Sequence, residues 1–551
     1  MKSGVAGLFL LLLTSPSPAA EAGFQLVDTA AAAGLDASMI CGMPGKPSIL
    51  DGTGPGIAVL DYDGDGWVDL LLRSAGTTYD PGPVHEPDRL YRNLGDGTFI
   101  DVTERAGVGD RHFASGVTAA DVDGDGDEDL FLSNYGANVF YRNRGDGTFE
   151  DATAAAGLED DGWGTGTALA DTDRDGDLDL YLVNYVVFDP MTTPRLGNPR
   201  CVFMGVQVFC GPRGLIPGQD RFYRNRGDGT FEEAAREVGL HRDEPYYGLG
   251  MLFSDIDDDG DADLYVADDA TPNLLYLNEG DGTFVEEGLL LGVAFSQEGT
   301  EQAGMGVNSG DYNRDGRMDL LVTNFSHDTH SLYRNDGLLF EVATLEAGLG
   351  ETTLPRLGWG TAFVDLDGDG WQDLFFSHGH VYPQMDGRGL GTAWDQPNAV
   401  FRNRGDGTFE EISASAGPGL QVVHSSRGAA VLDLENDGDP DLFVANMDLP
   451  PTLLRNDRNP GVSWLGVILR GQPANRDAVG ARIRLGDDAG PQIREVHAGS
   501  SYLSREDLRQ TFGLGAARTP REIEVRWPRG GRSRYRGLPP DRYYVVIEPA
   551  P

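Results

Sequence analysis

One acidic turn is written seven times in this chain of 551 residues, and it dictates the architecture. The first copy is Asp61-Tyr62-Asp63-Gly64-Asp65-Gly66-Trp67-Val68-Asp69. Others begin at Asp121, Asp171, Asp255, Asp311, Asp365 and Asp433, and each closes on an acidic residue eight positions on. Every copy runs into an apolar segment such as DLLL, DLFL or DLYL, which reads as a buried strand. Successive copies lie 60, 50, 84, 56, 54 and 68 residues apart. A unit of about 50–60 residues holding several short strands is the period of a propeller blade.

Two further signals repeat in register with the turn. A glycine stands five residues before its first Asp, at Gly56, Gly116, Gly166, Gly250, Gly306, Gly360 and Gly428, which predicts a close backbone approach or a sharp bend. A hairpin of the form Leu90-Tyr91-Arg92-Asn93-Leu94-Gly95-Asp96-Gly97-Thr98-Phe99 recurs at Tyr141, Tyr223, Tyr276 and Phe401, and in shorter form at Tyr333. Its Asp-Gly tolerates the positive φ of a primed turn. After the seventh turn the hairpin starts at Leu453 but never reaches a Thr-Phe strand. Phe24–Gly34 is such a strand without a hairpin before it. The two are expected to complete one blade and close the ring, because an open array leaves its end edges unpaired.

The turn carries hard oxygen ligands at alternating positions, as Ca²⁺ requires. The candidate ligands are Asp61, Asp63, Asp65 and Asp69; Asp121, Asp123, Asp125 and Asp129; Asp171, Asp173, Asp175 and Asp179; Asp255, Asp257, Asp259 and Asp263; Asp311, Asn313, Asp315 and Asp319; Asp365, Asp367, Asp369 and Asp373; and Asp433, Glu435, Asp437 and Asp441. Four such groups in one turn repel each other without a cation. An EF-hand is excluded because position 12 is Leu72, Leu132, Leu182, Val266, Val322, Phe376 or Val444 instead of Glu. Up to seven structural calcium ions are therefore expected. The fifth copy, with Asn313 and with Arg317 at position 7, is expected to bind weakest; the seventh differs by Glu435 and Pro440.

The net charge of -45 is uneven: the chain from Asn459 on has 15 Arg against 10 acidic residues, which leaves about -50 on the rest. An acidic body calls for cations and argues against nucleic acid as a partner. Residues 1–22 read as a secretory signal peptide, with a short apolar run before small residues, so export is expected, to the periplasm or the extracellular space. The apolar run is too short to span a bilayer, and no insertion into a membrane is expected. Cys201 and Cys210 lie in one Gly- and Pro-rich insertion and form a candidate disulfide; Cys41 is left over. From residue 459 the acidic turns stop. Strands are suggested at Trp464–Leu469, Ala481–Leu485, Glu522–Trp527 and Tyr543–Glu548, with a short helix at Ser504–Arg509.

The turn with its upstream glycine resembles FG-GAP (VCBS-type) repeats of integrin α-chain propellers. The stretches Trp464-Leu465, AVGARIRL (478–485), REVHAGSSYLS (494–504), FGLG (512–515) and VRWPRG (525–530) resemble the ASPIC/UnbV domain. Together they resemble the cartilage acidic protein family and its bacterial relatives. The resemblance implies an all-β fold: a seven-bladed β-propeller with integrin-α-like calcium loops over residues 23–458, then a small β-rich domain over 459–551. It implies no chemical reaction, since the family has no established catalytic residues.

The leading expectation is thus a non-enzymatic extracellular binding or adhesion module for a protein or glycan, recognised on the face opposite the acidic turns. The alternative is an enzyme or small-ligand or metal binder that uses a central funnel. Its candidates stand where the strands after each turn end, at Asn134, Asn184, Asp268, Asn324, His378 and Asn446, with His380 facing the same way as His378 on an extended strand. Simple capping of strand ends by Asn and His is the competing account. A third reading takes the cluster Arg526, Arg529, Arg532, Arg534 and Arg536 as a nucleic-acid or polyanion binding surface, and a solvated basic face or docking on the acidic propeller is the favoured account of it.

Overall fold

A computed structural model describes residues 22–487, 490–516, 520 and 522–550. The expected leader lies outside these residues, apart from Ala22, which is buried beside Phe24 and Leu26.

Seven four-stranded antiparallel sheets carry the acidic turns. In the second, Phe113–Ala120 runs into the turn, Asp129–Tyr135 leaves it, and Val139–Asn143 and Phe149–Asp151 follow outward. The first strands of successive sheets touch in sequence order, and that of the last, Ser426–Leu432, touches that of the first, Ile57–Leu60. The ring is therefore closed: the chain folds as an all-β propeller, with blades numbered here by their acidic turns.

The seventh blade is completed by the N-terminal strand. Phe24–Asp28 pairs antiparallel with Thr452–Arg458, from Phe24 opposite Arg458 to Asp28 opposite Leu454. The upstream glycines mark the close approach of neighbouring first strands, and in blades 2 to 7 they sit at a register shift of the first strand. A Cβ on Gly250 would lie 2.0 Å from the Met305 carbonyl oxygen, and one on Gly306 2.0 Å from that of Trp359. The outer Phe strands end in a short helical turn closed by a left-handed glycine such as Gly107 or Gly157.

Beyond residue 458 the chain forms two more sheets. One orders Gln510–Gly515, Ser463–Arg470 and Tyr543–Ile547; the other orders Gly490–Glu495, Arg482–Asp487, Glu522–Arg526 and Arg532–Tyr535. Leu465, Val467, Ile483, Phe512, Val525 and Trp527 pack between them. The four strands read from the sequence are present, and three more accompany them. The helix expected at Ser504–Arg509 is not: Arg505 is extended, its N–H donating to the Ile57 carbonyl and its carbonyl accepting from Val59 N–H, both at 3.0 Å.

That pairing belongs to a plug. Ala498–Arg505, between the strands Gly490–Glu495 and Gln510–Gly515, enters the centre of the ring. Leu169 N–H donates to the Ala498 carbonyl at 2.9 Å, and Val307 and Ser501 exchange backbone bonds of 2.9 and 2.7 Å. Val117 N–H donates to the Leu503 carbonyl at 3.2 Å. These partners lie on the first strands of blades 3, 5 and 2, so one loop binds several blades at once. Ser501 and Leu503 have φ of 60° and 54°. Left-handed non-glycine residues of this kind cost about 1–3 kcal/mol each and persist where surrounding contacts over-determine them.

Candidate metal centres

Each acidic turn bends at positions 4 and 6. The position-6 glycines all have positive φ, from 84° at Gly438 to 106° at Gly126 and Gly176. The bend lets the first carboxylate gather backbone donors. Asp61 accepts from Asp65 N–H and Gly66 N–H, both at 3.0 Å, and Asp433 from Asp437 and Gly438 at 3.1 and 2.8 Å. Position 5 accepts from position 7, as Asp65 does from Trp67 N–H at 3.0 Å.

The closing Asp holds the hairpin. Asp69 accepts from Asn93 N–H at 2.8 Å and from Tyr62 N–H at 3.1 Å, and Asp129, Asp179, Asp263, Asp319, Asp373 and Asp441 accept in the same way from the equivalent Asn. That Asn then reaches the preceding blade. The Asn143 amide donates to Tyr62 O at 3.0 Å, Asn225 to Val122 O at 3.0 Å, Asn278 to Thr172 O at 2.7 Å and Asn335 to Ile256 O at 2.8 Å. Asn403 reaches Tyr312 O at 2.8 Å, Asn456 reaches Leu366 O at 2.9 Å, and Asn93 closes the circle on Leu434 O at 3.4 Å. Each acceptor is position 2 of the neighbouring turn. The hairpin motif shows the Asn seven times but gives no hint of this cross-blade bond, because the partner lies on another repeat.

In five turns three carboxylates bring oxygens within 4.8 Å of one another: Asp61, Asp63 and Asp69; Asp121, Asp123 and Asp129; Asp171, Asp173 and Asp175; Asp255, Asp257 and Asp259; Asp365, Asp367 and Asp373. The turns at Asp311 and Asp433 have no such trio among the described residues; they are the two that depart from Asp-x-Asp. Asp63 Oδ1, Asp255 Oδ1 and Asp365 Oδ1 are buried without a hydrogen-bond donor. A hard cation with oxygen ligands fits such orphaned, converging oxygens.

Electrostatics point the same way. Burial, then the neighbouring carboxylates, raise Asp69 to about 9 against its two backbone donors, and burial raises Asp121, Asp171 and Asp311 to about 7. Arginines supply part of the missing charge: Arg92 lies 2.6 Å from Asp63 and 2.7 Å from Asp65, and Arg317 3.0 Å from Asp315. From the C-terminal domain Arg526 pairs with Asp255, Arg482 reaches Asp258 at 2.9 Å, and Arg509 donates to the Asp433 carbonyl at 2.7 Å. Of the expected basic cluster, Arg526 docks on the propeller. Arg532, Arg534 and Arg536 pair instead with Glu524 and Glu522 of their own sheet.

The strand-end residues do not form one funnel site. They are buried and bind the next connection of their own blade. The Asn134 amide donates to Ala137 O at 2.8 Å, Asn184 to Gln219 O at 3.0 Å, Asn324 to Thr329 O at 2.8 Å and Asn446 to Pro450 O at 2.9 Å, while Asp268 N–H donates to Asn273 at 2.9 Å. Nor do His378 and His380 share a pocket. His378 Nε2 lies 3.1 Å from His330 Nε2, whereas His380 packs against Phe203, Phe325 and Tyr382. The hydrogen bonds assign the tautomers. Asn324 N–H donates to His330 Nδ1, so His330 donates from Nε2 to His378, which donates from Nδ1 to Pro397 O at 2.9 Å. His380 Nδ1 accepts from Tyr382 N–H at 3.0 Å. Every ring lone pair in this network is used, and burial lowers His330 and His380 to about 3. No lone pair is left for a metal.

Cys201 and Cys210 are bonded to each other, with Cα atoms 4.9 Å apart. Cys41 is a buried thiol donating to Met39 O at 3.3 Å.

The turns set the register of the family match. The chain matches the FG-GAP-like repeat family over residues 61–132, 121–182, 208–266, 255–322, 311–376 and 390–476, four of these spans starting on the first Asp of a turn. The chain belongs to the FG-GAP-like repeat family. Residues 471–551 match the ASPIC and UnbV family, and the combination supports the resemblance to cartilage acidic proteins. This FG-GAP protein is 27% identical to human cartilage acidic protein 1 over 492 residues, 86% of this chain and 69% of the relative. It is 26% identical to the Xenopus tropicalis protein of that name over 329 residues, 58% of this chain and 47% of the relative. Solved structures are more distant. YCF48 bound to D1 peptide is 8% identical with a TM-score of 0.40, covering 81% of this chain and 100% of that one. An Agrocybe aegerita lectin that recognises non-reducing terminal N-acetylglucosamine is 17% identical with a TM-score of 0.37, covering 72% and 86%. No helix of the described residues is long and apolar enough to cross a membrane.

Proposed function

We propose that this FG-GAP protein is a calcium-held, non-enzymatic binding scaffold that works after export, in the periplasm or outside the cell. The observation that carries the reading is the convergence of three carboxylates in each of five turns, with a buried, donorless oxygen on Asp63, Asp171, Asp255 and Asp365. Calcium, up to seven ions, neutralises them, and its role is structural: each turn ties the end of a first strand to the hairpin Asn that bridges to the neighbouring blade. Dissociation constants of about 10⁻⁴–10⁻³ M, usual for extracellular modules, suit a permanent staple better than a sensor.

The working division is a leader over 1–22, a propeller over 23–458 and a C-terminal domain over 459–551. That domain covers the acidic-turn face and plugs the ring. Recognition of an extracellular protein or glycan falls to the opposite face, where the second strands end and the long insertions after Asn184 and His378 emerge. Capture of exported proteins and surface glycans on immobilised full-length protein, in calcium and again in EGTA, tests this. Partners lost together with folding cooperativity support the scaffold. Partners retained by an EGTA-treated protein of unchanged thermal stability refute it.

A further inference from the structure

The mouth of the ring away from the acidic turns holds a cavity of about 740 Å³. Its floor is sealed by the plug. Thr53 and Trp359 line it, and Tyr502 touches both, donating to Thr53 O at 3.1 Å and packing on Trp359 with ring centroids 4.6 Å apart. Its wall is aromatic. The disulfide-closed loop 201–210 places Phe203 5.5 Å from Phe325 and 5.7 Å from Tyr382, and Phe209 4.7 Å from Tyr382, measured between ring centroids.

Two carboxylates interrupt this wall, Asp269 at the end of the second strand of blade 4 and Asp328 after that of blade 5. Asp269 accepts from the Tyr185 hydroxyl at 2.5 Å, and neither carboxylate has an ion pair among the described residues. The arginines of the lining, Arg200 and Arg213, are exposed at the rim, and Arg213 is paired with Glu301 at 2.8 Å. Burial raises both carboxyls, Asp269 to about 6, and the rim charge of Arg213 offsets only part of that rise.

We propose that this cavity binds an organic ammonium ion with an apolar body, its charge set against Asp269 and Asp328 and its body against Phe203, Phe209, Phe325 and Tyr382. Aromatic faces attract cations, and more strongly once the pair is desolvated. The carboxylates offer acceptors only, which disfavours an anion, and the acidic body concentrates cations around the mouth. The volume suits a ligand of small-molecule size.

The proposal rests on the opposite face being the recognition face; it does not depend on the calcium assignment. The test is calorimetric titration of the full chain in calcium with phenyltrimethylammonium, using benzyl alcohol and benzoate as uncharged and anionic comparators. The ammonium is expected to bind at least ten-fold more tightly than either. Asp269→Asn/Asp328→Asn together weaken it at least ten-fold, with the calcium count by native mass spectrometry unchanged. If the double variant misfolds, Asp328→Asn alone and Phe203→Ala alone each weaken binding several-fold. Equal binding of alcohol and ammonium, or unchanged binding in folded variants, overturns the proposal. With calcium stoichiometry and partner capture intact, that failure falls on this cavity alone.

Discussion

The cross-blade asparagines make a sharp stability test. Asn278 is buried and makes three side-chain hydrogen bonds: to Thr172 O of the preceding blade at 2.7 Å, to Ala262 O at 3.3 Å and from Gly280 N–H at 3.0 Å. A net contribution of about 1 kcal/mol for each predicts a loss of roughly 2–4 kcal/mol in Asn278→Ala, because Thr172 O stays buried without its donor. For a chain with a urea dependence of about 3 kcal/mol/M, the unfolding midpoint falls by about 1 M. Asn93 supplies the comparison. Its bond to the preceding blade is 3.4 Å long, so Asn93→Ala is expected to lose about 1 kcal/mol less. Urea unfolding followed by tryptophan fluorescence, in saturating calcium, reads both. A loss below about 0.5 kcal/mol for Asn278→Ala, the level of an ordinary surface change, refutes the inter-blade staple. So does Asn93→Ala costing as much as Asn278→Ala.

Other outcomes follow from the same geometry. Without calcium, Asp69 titrates at about 9 and Asp121, Asp171 and Asp311 at about 7, all above the 3.8 of a free Asp. The folded state then holds protons that the unfolded chain releases, so calcium-free stability is highest near pH 4 and falls as the pH rises toward 9. Calcium holds these groups ionised, and its stabilising shift in melting temperature is expected to be larger at pH 8 than at pH 5; equal shifts sink the argument. As calcium is withdrawn, the fifth turn is expected to empty first, since Asn313 replaces a carboxylate and Arg317 occupies Asp315. Asn313→Asp then retains one more ion at intermediate chelator, counted by native mass spectrometry, and an unchanged count contradicts the ranking. In the plug, Tyr502→Ala is expected to cost about 3–5 kcal/mol, as for other buried aromatics, and Tyr502→Phe about 1 kcal/mol. Thermal melts in which the two are alike would show that the ring does not pack on Trp359 as described.

What the sequence makes legible is whatever repeats locally. The turns, the upstream glycines and the hairpins are each contained within single units, and the pairing of Phe24–Asp28 with Thr452–Arg458, though it joins the ends of the chain, follows from a missing half-hairpin in that local pattern. What stays hidden depends on contacts between units. Asn143 and its acceptor Tyr62 are 81 residues apart, and Asn93 and Leu434 are 341 apart, so neither bond leaves a local trace. The plug is hidden for the same reason. Its small and polar residues read as a loop or a short helix of their own domain until first strands from several blades supply their backbone partners. The histidines failed as a joint site because alternation along a strand says where two side chains start, not what each meets. His378 meets His330 from the neighbouring blade, and Gly379 pairs with Asp395, beyond the regular strand.

The plug and the turns are what place the proposed recognition on the far face. Arg482, Arg509 and Arg526 of the C-terminal domain sit on the turns of blades 4 and 7, and the Tyr543 hydroxyl donates to Asp433 at 2.6 Å. That domain carries a net charge of only about +5 against about -50 for the remainder of the chain, so docking offsets a tenth of the acidic charge. The carboxylates left over need a different cation, and the five oxygen trios are where one fits. On the proposed reading, calcium and the C-terminal domain address the same problem on the same face, the repulsion at the ends of the first strands. Variation on that face breaks a turn or a docking contact. On the opposite face, the strand-end Asn residues bind the connections beside them, and His378 also meets His330 of the neighbouring blade. The insertions beyond them pack onto the centre of the ring through Phe188, Val208 and Phe209, and this is where the aromatic cavity with Asp269 and Asp328 lies.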